Sequence, residues 1–402
     1  MKSWINRRNF MSALGLSAAS AVVKPAMASA ENTVQFKSEY AGVKITNVTT
    51  YKIPRAIFIK LDTNVGISGW GEASPNSTPV IEALIHHWLK KNIMGKDPFN
   101  IEPIWDHLFW EGHDLGPGGA LPYAIAGLDL ALWDIKGKLL NLPVYKLLGG
   151  SYRKEMLAYG GIPISGGRVP IENAVRRALK LADNGFKVIK LRMQIREYNL
   201  NPVPDPTLTY YSAVRKALPD DIELFVDPNE GYTASRAIQI GKALEEMGMK
   251  YYESPCPLEN HRDTAEVVKA IDIPLMAGEK CYTRWQFRDL ILHGNPDIIQ
   301  PDVIKAGGIT EVKKIATLGQ AFFKLVAPHN TKPTLGTAAA LHVLASISNA
   351  GPFIEFIETH RYKEVLSVVE APVTFRDGKL VVPESPGLGL IVNEKRLHEL
   401  AK

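Results

Sequence analysis

The stretch from Glu223 to Glu279 decides the fold. It contains three short apolar runs: Glu223–Val226 (Glu-Leu-Phe-Val), Lys250–Tyr252 (Lys-Tyr-Tyr) and Ile273–Ala277 (Ile-Pro-Leu-Met-Ala). Each run leads into an acid: Asp227, Glu253 and, after Gly278, Glu279. Between the runs lie helix-period segments such as Ala234–Met247, with apolar residues every three or four positions. Outward from this stretch the same unit recurs. Glu155–Ile162 and Lys187–Met193 precede it, and Asp297–Gln300, Lys324–Ala327 and Phe353–Ile357 follow, with Ile309–Phe323 as another helical segment. Alternating strand and helix units of roughly 25–30 residues predict an α/β protein built as a TIM-like barrel. A doubly wound open sheet would carry Gly-x-Gly-x-x-Gly after its first strand, and none follows here.

The ionisable residues keep step with the strands. Lys190 and Arg192 lie on the second run, and Asp227, Glu253, Glu279, Asp302, His329 and Glu355 close the next six. Successive separations from Asp227 are 26, 26, 23, 27 and 26 residues. Scattered surface charges would not keep this register. In a barrel the carboxyl ends of all strands meet at one mouth, so these residues are expected to share a site there.

Three carboxylates side by side repel one another unless a cation lies between them. A donor set of oxygen alone selects a hard divalent ion, so Asp227, Glu253 and Glu279 predict one Mg²⁺ per subunit, with Mn²⁺ able to replace it. A substrate carboxylate on that metal would place its α-carbon between Lys190 and Arg192 on one flank and Asp302 and His329 on the other. Asp302 beside His329 forms a dyad in which the carboxylate orients the imidazole and raises its basicity. His86, His107, His293 and His342 fall outside the strand-end register and read as structural.

Further motifs give the pattern a family likeness. They are Val65-Gly66-Ile67-Ser68-Gly69-Trp70-Gly71-Glu72, the run Ala126–Lys138, Leu147-Leu148-Gly149-Gly150, Ala277-Gly278-Glu279, and Gln300-Pro301-Asp302 with Ala306-Gly307-Gly308-Ile309-Thr310. Together with the strand-end residues they resemble the mandelate racemase/muconate lactonizing enzyme family of the enolase superfamily over nearly the whole mature chain. The resemblance implies a (β/α)₇β barrel closed by an α+β capping domain built from the N-terminal region and the C-terminal tail. It also implies a first step in which a base removes the proton next to a metal-held carboxylate, giving an ene-diolate. By position, Asp227, Glu253 and Glu279 match the metal ligands, and Lys190 the first lysine of a Lys-x-Lys motif. Asp302–His329 matches the dyad, and Glu355 the strand-eight acid that helps bind the substrate carboxylate.

Arg192 departs from that pattern by standing where a second lysine is expected. It stays protonated and suits binding an anionic or hydroxylated substrate, which weakens two-base racemisation. The short segment Tyr51–Phe58 lacks the long flap of racemases and cycloisomerases. With Ala327-Pro328-His329 it looks more like sugar-acid dehydratases of the D-galactonate dehydratase kind, although Asp227-Pro228-Asn229 lacks their extra strand-three histidine. The expected reaction is therefore Mg²⁺-dependent dehydration of an aldonate or aldarate. A racemase, epimerase or cycloisomerase acting on a carboxylate is the alternative. Residues 194–210 form an insertion from which Tyr198, Tyr210 or Tyr211 could reach the site. Cys256 and Cys281 read as buried thiols, with an oxidised pair as the second option.

Composition sets the remaining bounds. With 402 residues, 46% hydrophobic and 22% charged, the chain is globular. Its net charge of +5 arises at the start: Lys2, Arg7, Arg8 and Lys24 occupy thirty residues without an acid, leaving 43 basic against 42 acidic residues from position 31. A polyanion-binding face is not indicated, so a small-molecule carboxylate is the expected partner, with no nucleic acid. Arg7-Arg8, the apolar run Ser12–Val23 and Ala28-Ser29-Ala30 resemble a twin-arginine export signal over residues 1–30, cleaved after Ala30. The run is too short to span a membrane, and no cysteine is placed for a lipid anchor. Expected organisation is a capping domain at 31–154, completed by about 365–402, and a barrel at 155–364. The location is periplasmic or extracellular, and the family likeness implies a homo-oligomer.

Overall fold

The computed structural model describes residues 40, 42–195, 200–357 and 362–401. The leader and Tyr198 lie outside the described residues. Within this range the chain opens with an antiparallel sheet in the order β1 (Ile45–Ile53), β2 (Ala56–Thr63), β3 (Ser68–Ala73). Pro54 and Arg55 make the β1–β2 turn, with Arg55 in the left-handed region at φ 68°. The helices that follow include α1 (Thr78–Leu84), α2 (Ile101–Gly112) and α3 (Ala120–Leu139), with shorter helical turns between and after them. The third is buried along almost its whole length, because it lies between the sheet and the barrel. Its approach to β3 needs small residues: a Cβ on Gly71 would run into the Gly127 carbonyl oxygen, and one on Gly69 into that of Ala131.

The eight expected barrel strands all form. In chain order they are β4 (Glu155–Pro163), β5 (Val188–Arg192), β6 (Glu223–Asp227), β7 (Tyr252–Glu253), β8 (Leu275–Ala277), β9 (Ile298–Ile299), β10 (Leu325–Val326) and β11 (Ile354–Glu355). They pair in parallel from β4 to β10, and β11 pairs with β4. The circle closes through the Val326–Ala350 bridge. The crossovers are α4 (Ile171–Asp183), α5 (Thr207–Ala217), α6 (Ala234–Glu246), α7 (His261–Ala270), α8 (Arg284–Asp289), α9 (Ile309–Ala321) and α10 (Leu335–Ala345). Only a four-residue helical turn, Lys363–Leu366, separates β11 from the tail among the described residues, so seven strand–helix units and a final strand give a (β/α)₇β architecture.

The tail returns to both layers. β12 (Phe375–Arg376) and β13 (Lys379–Val381) form a hairpin whose second strand pairs antiparallel with the start of β4. The last helix, α11 (Glu394–Leu400), packs on β1, where Glu394 accepts from Tyr51 Oη (2.6 Å) and pairs with Lys60 (2.9 Å).

Buried acids tie sheet, helices and tail together. Asp134 accepts from the backbone N–H groups of Trp70 and Leu388, both at 2.9 Å. Asp129 accepts from Thr310 N (3.1 Å) and Oγ1 (2.5 Å) at the start of α9, and burial pushes its carboxyl up to about 7 despite those bonds. Glu72 at the end of β3 accepts from Thr334 Oγ1 (2.7 Å) and Gly336 N (2.9 Å), which caps α10. That capping matters for function, since α10 follows the strand-seven loop carrying His329.

Candidate active site

Strand periodicity builds the site in two layers. Tyr159, Phe225 and Phe353 point into the barrel and pack with ring centroids 5.1–5.8 Å apart. Two residues further along the same strands, on the same face, stand Gly161, Asp227 and Glu355. The aromatic layer is the floor, and the next layer up carries the chemistry. On β5 the same alternation turns both Lys190 and Arg192 inward.

The structure brings Asp227, Glu253 and Glu279 together: one carboxylate oxygen from each lies within 4.8 Å of the others, and all three residues are buried. Asn229 holds Asp227 from two sides, donating its backbone N–H to Oδ1 (2.8 Å) and its amide to Oδ2 (2.9 Å). Glu253 Oε2 is buried without a hydrogen-bond partner among the described residues. An orphaned carboxylate oxygen in an oxygen-only cluster fits a hard divalent cation. Burial, then the charge of Glu279, pushes Asp227 up to about 6 against the pull of Lys190 and Arg192. Burial likewise raises Glu253 well above the usual carboxylate range. Glu279 is the exception: burial opposes its charge, but His329, Lys305, Lys190 and Lys280 outweigh it and hold the carboxyl low.

Lys190 stands on one flank, with Nζ 2.9 Å from Glu253, 3.0 Å from Glu355 and 3.6 Å from Asp227. Burial would lower its pKa, but these acids prevail and keep the ammonium charged. On the opposite flank His329 Nδ1 lies 2.6 Å from Asp302 Oδ2. A carboxylate can only accept, so Nδ1 carries a proton and Nε2 is the ring nitrogen left to the chemistry. Nε2 faces Glu279 at 3.3 Å and Glu355 at 3.9 Å. Asp302 is itself fixed by Ile304 N (2.9 Å) and approached by Lys305 (3.6 Å). Glu355 accepts from Asn330 N at 3.1 Å, one residue past His329.

Above these groups opens a cavity of 320 Å³, into which Arg192, Glu279, His329 and Glu355 project. Its remaining wall was not read from the sequence. Ser74 and Asn76 come from the loop after β3. Lys305 and Lys332 contribute from positions three residues past Asp302 and His329. The available signal was a second charged residue three places beyond a strand-end group.

Tyr210 and Tyr211 do not reach the cavity. Tyr210 on α5 donates to the carbonyls of Gly167 (2.9 Å) and Val169, and Tyr211 is fully buried in the core. An apolar helix face turned to the barrel claims both rings. Cys256 and Cys281 are buried free thiols, so the oxidised pair is not formed. His342 is structural: it is buried, with Nδ1 accepting from Tyr145 N (3.3 Å) and Nε2 placed to donate to Leu388 O (3.2 Å).

A barrel mouth with an acidic triad, a buried lysine and a His–Asp pair beneath an α+β cap defines an enzyme of the enolase superfamily. Comparison with known proteins agrees. Residues 32–149 match the mandelate racemase/muconate lactonizing enzyme N-terminal domain, and residues 173–396 match the enolase C-terminal domain-like family. A D-galactonate dehydratase from Pectobacterium atrosepticum is 34% identical over 90% of this chain and 95% of that relative. A mandelate racemase/muconate lactonizing protein from Paracoccus denitrificans, solved with magnesium, superposes with TM-score 0.83 at 30% identity, covering 89% of this chain and 98% of that one. The 3,6-anhydro-D-galactonate cycloisomerase from Zobellia galactanivorans superposes with TM-score 0.79 at 31% identity, covering 89% and 99%. The chain belongs to the mandelate racemase/muconate lactonizing enzyme family.

Proposed function

We propose that this protein is a Mg²⁺-dependent hydro-lyase that dehydrates a sugar acid, an aldonate or aldarate, to a 2-keto-3-deoxy acid. One observation carries the reading: a cation-demanding triad lies between a charged lysine and a dyad-oriented histidine, and Glu279 and His329 open this cluster to the cavity. Asp227, Glu253 and Glu279 would hold the ion. When bound it supplies positive charge for the substrate carboxylate, which lowers the cost of the negative charge that develops as the α-proton leaves.

The chain's own residues do the rest. Lys190 and Glu355 bracket the carboxylate position, and Arg192, always protonated, binds hydroxyl or anionic oxygens. His329, with Nδ1–H locked by Asp302, offers Nε2 to the α-proton, to the departing β-hydroxyl, or to both in a syn elimination. The D-galactonate dehydratase relative supports loss of water. The cycloisomerase neighbour supports the second reading, in which the same deprotonation opens a ring and no water is lost. A panel of aldonic and aldaric acids, with and without Mg²⁺ and with 2-keto acid detection, tests the proposal. Product on at least one acid, abolished by chelation, is expected; no 2-keto product on any acid overturns it.

The twin-arginine motif supports a further part of this reading. We place the mature enzyme outside the cytoplasm, exported folded, with its metal site already formed.

A further inference from the structure

The triad and dyad account for the charged layer beneath the cavity, but not for Lys332. This residue lines the cavity and is 7% exposed. Among the described residues its ammonium donates only to the carbonyl and hydroxyl of the adjacent Thr331, both at 3.0 Å, and it sits 5.5 Å from the Tyr362 ring. It forms no ion pair among the described residues, unlike the other lysines of this wall: Lys280 is paired with Glu230 at 2.9 Å and Lys305 lies 3.6 Å from Asp302. No acid comes within ion-pairing distance of it among the described residues: Glu72 gives Oε2 to the start of α10 and keeps Oε1 unpartnered, Asp302 serves His329, Ile304 N and Lys305, and these acids reach the ammonium only at longer range.

A buried ammonium with no acid in contact is costly, and its place in the wall of this cavity points to an anion that arrives with the ligand. The metal-binding triad sits at β6 to β8, whereas Lys332 follows β10 beside the cap loop holding Ser74 and Asn76. A carboxylate held at the triad therefore leaves Lys332 for another part of the molecule. We propose that Lys332 receives a second, distal carboxylate, so that the site prefers sugar diacids (aldarates) over the matching monoacids (aldonates). The neighbouring Lys305 adds positive potential at the same end of the cavity. The inference rests on the sugar-acid reading above and narrows it to the dicarboxylic class.

Matched pairs test it: galactarate against galactonate, and glucarate against gluconate, differ only in a terminal carboxylate or hydroxymethyl. Binding to the Mg²⁺-loaded mature protein is measured by calorimetry, and turnover by 2-keto acid formation, for wild type, Lys332→Met and Lys332→Arg. A diacid affinity about tenfold above that of its monoacid is expected, the scale of one well-formed ion pair. Lys332→Met should erase this preference and Lys332→Arg should retain it. Equal wild-type affinity for both members of each pair overturns the proposal. So does an equal loss for both in Lys332→Met, which would make Lys332 a hydroxyl contact. Diacid binding without dehydration would leave the subsite standing while sinking the dehydratase reading. Dehydration of monoacids as efficient as that of diacids would do the reverse.

Discussion

Replacing Asp302 by Asn exchanges one oxygen for an NH₂ group and should disable the histidine. Oδ1 accepts from Ile304 N at 2.9 Å, and Oδ2 accepts from His329 Nδ1 at 2.6 Å. An amide has one acceptor, so one of these bonds must fail. Keeping the carbonyl on Ile304 avoids orphaning a buried N–H, worth about 2 kcal/mol, or about 30-fold in population. Lys305, 3.6 Å from Oδ2, is too distant to make a hydrogen bond that reverses this choice. The amide nitrogen then faces Nδ1 and forces the proton onto Nε2, the wrong tautomer for a base. Loss of the carboxylate's charge-assisted bond to the imidazolium removes about 2 kcal/mol more, another ~30-fold. Together these lower kcat by about 10³-fold, in line with what the wrong tautomer costs other histidine bases. The assay is α-proton exchange and 2-keto acid formation, with Mg²⁺ titration as a check on the fold. An Asp302→Asn enzyme with intact metal binding and a kcat within tenfold of wild type would refute the reasoning.

Other predictions address the metal, acid stability and export. Glu253→Gln keeps shape but removes a ligand charge, so turnover should fall ~100-fold or more with a steeply raised Mg²⁺ requirement; full wild-type activity after exhaustive chelation would contradict the triad reading. His342 is pushed down to about 4 by burial, so it is neutral when folded but takes a proton at its ordinary pKa of 6.5 when unfolded. Its contribution is complete above pH 6.5 and is lost as pH falls toward 4, about 2 kcal/mol between pH 7.5 and 5. His342→Gln should therefore flatten the pH dependence of unfolding over that window by this amount, and an unchanged slope in denaturant melts would count against it. Replacing Arg7 and Arg8 by lysine should leave the precursor in the cytoplasm, whereas undiminished secretion would remove the export proposal.

The barrel was legible because each strand end combines a local pattern with a global constraint. Asp227, Glu253 and Glu279 announce themselves by spacing, and closing the barrel converts spacing into proximity. The residues that escaped notice lack such a rule. Ser74 and Asn76 reach the cavity only because the cap sheet folds over the mouth, and Lys305 and Lys332 turn in from loops whose course no periodicity dictates. Glu72 and Asp129 were visible as parts of a familiar motif. Their work, capping α10 and α9 across separations of 262 and 181 residues, depends on contacts that a linear pattern cannot display. Tyr210 and Tyr211 show the opposite case, where an insertion near the site carried aromatic residues that the core claimed.

The central claim is that deprotonation next to a carboxylate leads to loss of the neighbouring hydroxyl. Its most direct test is turnover of a sugar acid in D₂O with Mg²⁺, read by mass spectrometry and NMR. The account predicts a 2-keto-3-deoxy acid that has lost one water and carries solvent deuterium at C3. A product of unchanged elemental composition with deuterium at C2, the signature of an isomerase, would contradict it.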